Sequence, residues 1–435
     1  MMGSIMTSAP RTRDADGPMF PFRTVVLGAL LPSLVFAIGV GAMLPIIVPS
    51  AVGLGSSLAV AGVVAALLPV GQILADLPAG SLAARVGDRR AMILAGVVAA
   101  GAFAGAAAAT SLVLLAVAVL ATGAAAAVFN LARHSYLTEI TPPLRRARVL
   151  STLAGVHRIG QFLGPFAGAA VIHGGELGYA YLLGVGTALA ATVTVALARD
   201  DTARSALPAA GTLRQRRAAG REARRAHAGP SMLEVLYAHR KVLSTLGVAV
   251  LLVGAVRGAR QTVLPLWGEY LGLDPATTSL IFGLAGAVDM LLFYPAGKVM
   301  DRMGRLWIGV PSMLVMGAAM IALPFTHTVA SMSVVAALMG LGNGMSSGIL
   351  MTLGADVSPA SGRARFLGAW RVLQDSGGAL GPLVVSAGAA LGSLAAGIWV
   401  TGLLGAGAAA ALLRWVPRWS VHANRTTRRQ AGLIT

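Results

Sequence analysis

Cysteine is absent from all 435 residues, which excludes disulfides, thiolate metal sites and cysteine nucleophiles. Charge is also scarce. Only 11% of residues are Asp, Glu, Lys or Arg, where a soluble domain carries roughly a quarter. Acids are the rarer sign, 16 against 34 basic residues. The seven histidines lie scattered, with no paired ligand spacing, so no metal site is expected. The sequence has no Walker-type phosphate loop, no H-E-x-x-H and no close Ser–His or His–carboxylate arrangement, so neither catalysis nor a cofactor is expected.

What is present is apolar surface. Hydrophobic residues make up 56% of the chain, and mean hydropathy is +0.77. Apolar runs of about 20 residues recur, each long enough to cross a hydrocarbon layer of roughly 30 Å as a helix. Because the runs are continuous rather than alternating, they favour helices over a barrel. The expectation is an all-α polytopic membrane protein with twelve transmembrane helices. Their approximate spans are 22–48, 57–79, 91–109, 113–134, 150–173 and 177–198, then 242–268, 274–297, 307–326, 330–355, 366–389 and 393–414. The polar first 20 residues and the long first span argue against a cleavable signal peptide.

The formal charge of +18 is placed asymmetrically. Lys and Arg gather in the two tails and the even-numbered connections, and none falls near 50–56, 110–112, 174–176, 269–273, 327–329 or 390–392. That is the positive-inside pattern, and it predicts a cell-membrane protein with both termini cytoplasmic. Orientation accounts for most of the charge, so nucleic acid is not an expected partner. Membrane lipids are, and the chain is expected to act as a monomer.

The longest polar stretch, 199–241, reads as a basic cytoplasmic linker, with or without a short helix on the anionic leaflet. It separates an N-terminal unit, 1–198, from a C-terminal unit with a basic tail, 242–435. The two units repeat. Gly80 and Gly297 are 217 residues apart, as are Gly87 and Gly304. The same offset relates Gly160, Gly164 and Pro165 to Gly377, Gly381 and Pro382. A repeat of this size predicts two pseudo-symmetric six-helix bundles with a site between them.

The phrase "GSLAARVGDRR" (Gly80 to Arg90) resembles the loop G-x-L-A-D-R-x-G-R-(K/R) that follows helix 2 in the major facilitator superfamily. Gly80, Arg85 and Gly87 match it, Asp88 replaces its first basic residue, and Ala84 replaces its acid. The second copy keeps Gly297, Asp301, Arg302 and Gly304. The resemblance covers all twelve spans and implies that family's fold. In the family this loop latches the halves on the cytoplasmic side, so the altered first copy implies an asymmetric latch in which Asp301, near the start of the fifth span, outweighs Asp88. The stretch "GQFLGPFAGA", with Gly160, Gly164, Pro165 and Gly168, is similar to a helix-5 signature of the superfamily's drug/proton antiporters. Close helix packing is an alternative reason for the same small residues. The antiporters' helix-4 arginine is missing, since Val119 stands four residues before Gly123.

Ionisable residues inside apolar spans cost roughly 2.5–3.5 kcal/mol each on insertion scales, so each asks for a partner or a role. Asp289 lies about 12 Å and Arg158 about 15 Å from the cytoplasmic boundary, so they are expected to meet between spans 8 and 5 if the family's packing holds. Asp76 and Arg371 are expected to meet likewise between spans 2 and 11, and Arg371 also stands four residues before Asp375. These pairs either couple protonation to conformational change or simply neutralise one another. His157 is either a further coupling group, as a residue type whose charge changes near neutral pH, or a hydrogen-bonding interface residue. Arg133 and His134 either line a cavity or snorkel, and Arg133 has Glu139 within reach. Arg257 and Arg260 are expected toward the outer face as a gate or anion lure, or paired with Glu269, Asp274 or Glu176. Gly258 and Pro265 are expected to weaken the helix there. Asn130, Gln261 and Asn343 are candidate cavity residues, because spans 1, 4, 7 and 10 line the cavity in the resembled family.

The resemblance implies a secondary transporter working by alternating access on a small-molecule substrate and protons, with the proton gradient as energy source. Efflux of amphipathic, drug-like compounds is the leading expectation. Uptake of a small nutrient and transport of a lipid or lysolipid are the alternatives.

Overall fold

A computed structural model describes residues 25–141, 146–172, 176–198, 232–359 and 361–432. They are helical throughout, with no strand among them. The N-terminal tail and most of the expected linker, 199–231, lie outside the described residues.

The first half holds α1 (Val26–Gly53), α2 (Leu58–Val86), α3 (Asp88–Ala107), α4 (Leu112–Ile140), α5 (Arg146–Val171) and α6 (Gly178–Leu197). A short helix, Met232–Ala238, leads into the second half. There follow α7 (Arg240–Tyr270), α8 (Pro275–Met303), α9 (Leu306–Phe325), α10 (Val329–Val357), α11 (Arg363–Ala390) and α12 (Leu394–Trp419). A terminal turn of helix, α13, spans Arg425–Gln430. Ten of these helices are long and apolar enough to cross a membrane. The remaining two long ones, α5 and α11, reach 26 and 28 residues with several charges along them, so that twelve helices of spanning length are present.

Local chemistry sets the ends. Ser57, Ser111, Asp274, Thr328 and Ser393 cap the N-termini of α2, α4, α8, α10 and α12, each side chain accepting from a backbone N–H three residues on. These caps share one face. The other face carries the turns at Gly87 (φ +88°) and Gly304 (φ +105°), a backbone region that glycine adopts without strain. It also carries the basic residues of both repeated phrases, and is called the basic face below.

Three sequence expectations change. The repeated phrases are mostly helix rather than loop, since α2 continues to Val86 and α8 to Met303, leaving only the glycines to turn the chain. The tenth span is broken at Ser346–Gly348, where Gly348 has φ +80°. The helix α7 is continuous through Gly258 and Pro265. Gly258 serves close packing instead, for a side chain there would fall 2.7 Å from the Gly378 Cα of α11.

The packing repeats with the sequence. In the first half α1 packs on α5 and α6, α2 on α4, and α3 on α4 and α6. In the second half α7 packs on α11 and α12, α8 on α10, and α9 on α10 and α12. Adding six to each helix number converts one set into the other. The halves meet along two seams related by the same operation, α2 against α11 and α5 against α8.

The glycine–proline stretch of α5 explains part of this arrangement. A side chain at Gly164 would strike the backbone of Gly41 and Ala42 on α1 at 2.6 Å. Gly381, its repeat partner, stands equally close to Ala255 and Ala259 on α7. Both halves therefore use the same motif to bring two backbones together.

Candidate functional site

A cavity of about 850 Å³ lies between the halves. Its walls come from α1, α2, α4, α5, α7, α8, α10 and α11, with no lining residue from α3, α6, α9 or α12 among the described residues. The lining extends to Ser151 on α5 and Met351 on α10, so the cavity opens toward the basic face. Away from that face, the Leu44–Ile46 turn of α1 packs on α7 and α8 and closes the other end.

Asp289 stands at the centre of a polar chain. Its Oδ2 accepts from Asn343 Nδ2 at 2.6 Å, and Asn343 Oδ1 accepts from Arg257 Nε at 3.0 Å. Across the α5–α8 seam, Arg158 Nη1 lies 3.7 Å from Asp289 Oδ1, and its guanidinium sits 4.5 Å over the Phe293 ring. Arg133 is buried, donating to Ser33 Oγ at 2.9 Å and lying 3.4 Å from His157 Nδ1. Gln261 and His134 belong to the polar lining as well, with Gln72, Gln161 and Gln374.

The second seam carries a weaker arrangement. Arg371 lies 3.6 Å from Asp76 on α2 and 3.3 Å from Asp375 one turn along α11. Its side chain is 59% exposed, against 27% for Arg158. Water therefore screens this pair far more than the one at Asp289.

Several expectations need correction. Arg257 and Arg260 face the central cavity, not the outer surface. The reason is length: α7 runs 31 residues from Arg240 to Tyr270, so Arg257 stands near its midpoint and Arg260 about a turn beyond, still about 15 Å short of the outer end. Neither forms an ion pair with Glu269, Asp274 or Glu176 among the described residues. Arg133 neither snorkels nor pairs with Glu139 among the described residues, because α4 continues about two turns past it to Ile140 and holds it below the boundary. Asn130 is not part of the cavity wall. It sits one turn deeper than Arg133, with its Oδ1 buried and unpartnered.

On the basic face the two phrases do different work. Asp301 is 78% exposed and lies 3.6 Å from Arg305, with no bond to α5 among the described residues. The halves are apart on this face, where the cavity opens, so Asp301 has nothing across the gap to hold. Arg305 pairs with Asp356 at the end of α10 at 3.1 Å, and Ser420 donates to the same carboxylate at 2.9 Å. Arg428 of α13 donates to the Asp301 and Arg302 carbonyls at 2.6 and 3.3 Å, closing the C-terminus of α8. In the first half the position of Arg305 belongs to Asp88 and that of Asp356 to Glu139, so the same cross-link would join two acids. There Asp88 instead begins α3, where the helix dipole favours an acid, and Arg89 donates to the Val195 and Ala196 carbonyls ending α6. Arg85 lies in the last turn of α2 and Arg302 in that of α8.

Sequence reasoning missed Ser33, Phe293 and the Arg305–Asp356–Ser420 cluster. The 217-residue offset itself held the signal for the last, since it aligns Arg305 with Asp88 and so marks a place where charge sign reverses.

Two matching helical bundles around a polar cavity, open to one face and sealed at the other, make the architecture of a membrane transporter. The chain belongs to the Major Facilitator Superfamily, whose family profile matches residues 29–382 and 246–430. Solved structures of similar fold include a mutant peptide transporter POT in complex with alafosfalin, with TM-score 0.71, 16% identity, and coverage of 91% of this chain and 94% of that one. A D-xylose–proton symporter matches with TM-score 0.68 and 15% identity over 91% and 98%. The nucleoside transporter NupG matches with TM-score 0.68 and 13% identity over 90% and 98%. At such identities the likeness is one of fold. No curated protein sequence matches the chain.

Proposed function

We propose that this chain is a proton-coupled secondary transporter of amphipathic small molecules, with Asp289 as the proton carrier. Residues 1–198 and 242–435 would be its two moving bodies, joined by 199–241, and on the positive-inside reading the cavity opens to the cytoplasm. The observation that carries the proposal is the position of Asp289. It belongs to α8, it lines the cavity, and its charge faces Arg158 across a seam between halves. Protonation would remove that attraction and shift the balance between the two open states.

Efflux keeps one sequence feature in its favour, the helix-5 signature. That support is thinner now, because the repeat copy on α11 packs against α7 in the same way. Uptake and efflux would use the same machinery.

The test uses proteoliposomes with an imposed pH gradient and a substrate drawn from a stabilisation screen. Wild-type protein should accumulate substrate against its gradient, and Asp289→Asn should allow equilibration only. Full proton-driven accumulation by Asp289→Asn would remove Asp289 from the coupling step.

A further inference from the structure

We infer that the substrate is an organic anion, an acidic group on an apolar body, and that Arg260 with Arg257 is its acid-binding subsite. The inference rests on the transport reading and names its substrate class. Four guanidiniums line the cavity, those of Arg133, Arg158, Arg257 and Arg260, against two carboxylates, Asp289 and Asp375. Asp375 is taken up by Arg371 at 3.3 Å, which leaves Asp289 as the counter-charge for all four.

Three of the four have other partners. Arg133 has Ser33 and His157, Arg158 has Asp289 and the Phe293 ring, and Arg257 has Asn343. Arg260 is different. It is 8% exposed, it lines the cavity, and its Nε and Nη1 are buried without a hydrogen-bond partner. An unmatched buried charge is strongly unfavourable, and native proteins keep few of them. A ligand oxyanion would supply the missing acceptors, and a guanidinium fork suits a carboxylate or phosphate geometrically.

The remainder of the site suits an apolar body. Phe162, Phe282 and Met290 line the cavity beside the arginines, and Leu44 and Ile47 close its far end. The volume of about 850 Å³ is that of a site for a drug-sized molecule.

An anionic substrate also fixes the sign of proton coupling. The charged groups facing Asp289 are Arg158 from α5 and Arg257 and Arg260 from α7. The helix α10 offers the neutral Asn343, and the α1 turn at Leu44–Ile46 and α9 bring no charge to the cavity. An ionised Asp289 and a substrate anion therefore draw on the same guanidiniums. The anion binds best when Asp289 carries its proton, so proton and substrate travel together.

A matched series tests this: 2-naphthoate, 2-naphthamide and 2-naphthylmethylamine titrated into detergent-solubilised full-length protein, with binding read from thermal unfolding. The naphthoate is expected to bind at least about tenfold more tightly than either analogue, as one charge-assisted hydrogen bond would give. Asp289→Asn, which leaves that position neutral, should bind the naphthoate more tightly than wild type, because the substrate anion no longer competes with a carboxylate for the same guanidiniums. Arg260→Gln should abolish the preference for the acid while melting no lower than wild type without ligand, because it removes an unpaired buried charge. Equal or better binding of the amide or amine, no binding of the naphthoate, or a preference surviving Arg260→Gln would overturn the inference. So would a large loss of ligand-free stability in Arg260→Gln, which would make the residue structural. These measurements need no gradient, so they stand apart from a failure of the transport assay.

Discussion

Asp289 and Asn343 meet across the α8–α10 contact at 2.6 Å, the shortest polar contact in the cavity wall. Both ends of the amide are engaged, since its oxygen also accepts from Arg257 at 3.0 Å. Asn343 is therefore a neutral link that holds the acid and the cavity arginine apart yet connected. Asn343→Ala should lower stability by about 0.6–2 kcal/mol, the range for interhelical hydrogen bonds in membranes. Transport should fall much further than stability, because Arg257 loses the group that orients it. Unfolding in graded denaturing detergent, paired with uptake into proteoliposomes, separates the two effects.

The two interhalf ion pairs should behave unequally. Asp76→Asn is expected to change stability by less than about 1 kcal/mol, as for an exposed pair, since Arg371 keeps Asp375. Asp289→Asn should leave folding intact and abolish proton-driven accumulation. Equal transport defects in the two variants would contradict the assignment of the coupling role to the α5–α8 seam.

Gly164→Leu and Gly381→Leu test what the repeated glycine–proline motif is for. Each side chain would enter the backbone of a neighbouring helix, so both variants should show severe and similar losses of folded protein in the membrane. A well-folded Gly164→Leu that transports without proton coupling would instead restore the antiporter reading of helix 5.

The basic face offers a conformational test. Asp301→Asn should shift the population of the two open states more than Asp88→Asn, because Asp88 is already engaged at the start of α3. Because the chain contains no cysteine, a single cysteine placed at Met351 would report opening on this face by its labelling rate. Matching rates for the two aspartate variants would refute the asymmetric latch.

The repeat and the spans were readable because both follow from local chemistry, apolar length and glycine placement. The approach of Arg158 to Asp289 was readable only through the resembled fold, since no local rule brings residues 131 positions apart together. Arg257 and Arg260 stand 13 and 10 residues short of the outer end of α7 at Tyr270, about 20 and 15 Å, so distance counted from the inner end alone overstated how near they come to the outer face. The role of Asn343 as a bridge left no mark in the sequence, where one asparagine in "GLGNGM" reads only as a polar residue among glycines. The Arg305–Asp356 pair left a clear mark, a reversed charge in one repeat copy, that spacing alone did not translate into a contact.

The unequal wetting of the two seams has a consequence for how the protein meets its surroundings. Arg371, 59% exposed, sits among mobile ions and feels the salt of the compartment on the basic face. Asp289 and Arg158, at 16% and 27%, are shielded from it and respond instead to whatever occupies the cavity. Ionic strength on that side should therefore tune the ease of opening without altering cargo recognition. In this reading the molecule listens with one seam to its solvent and with the other to its passenger.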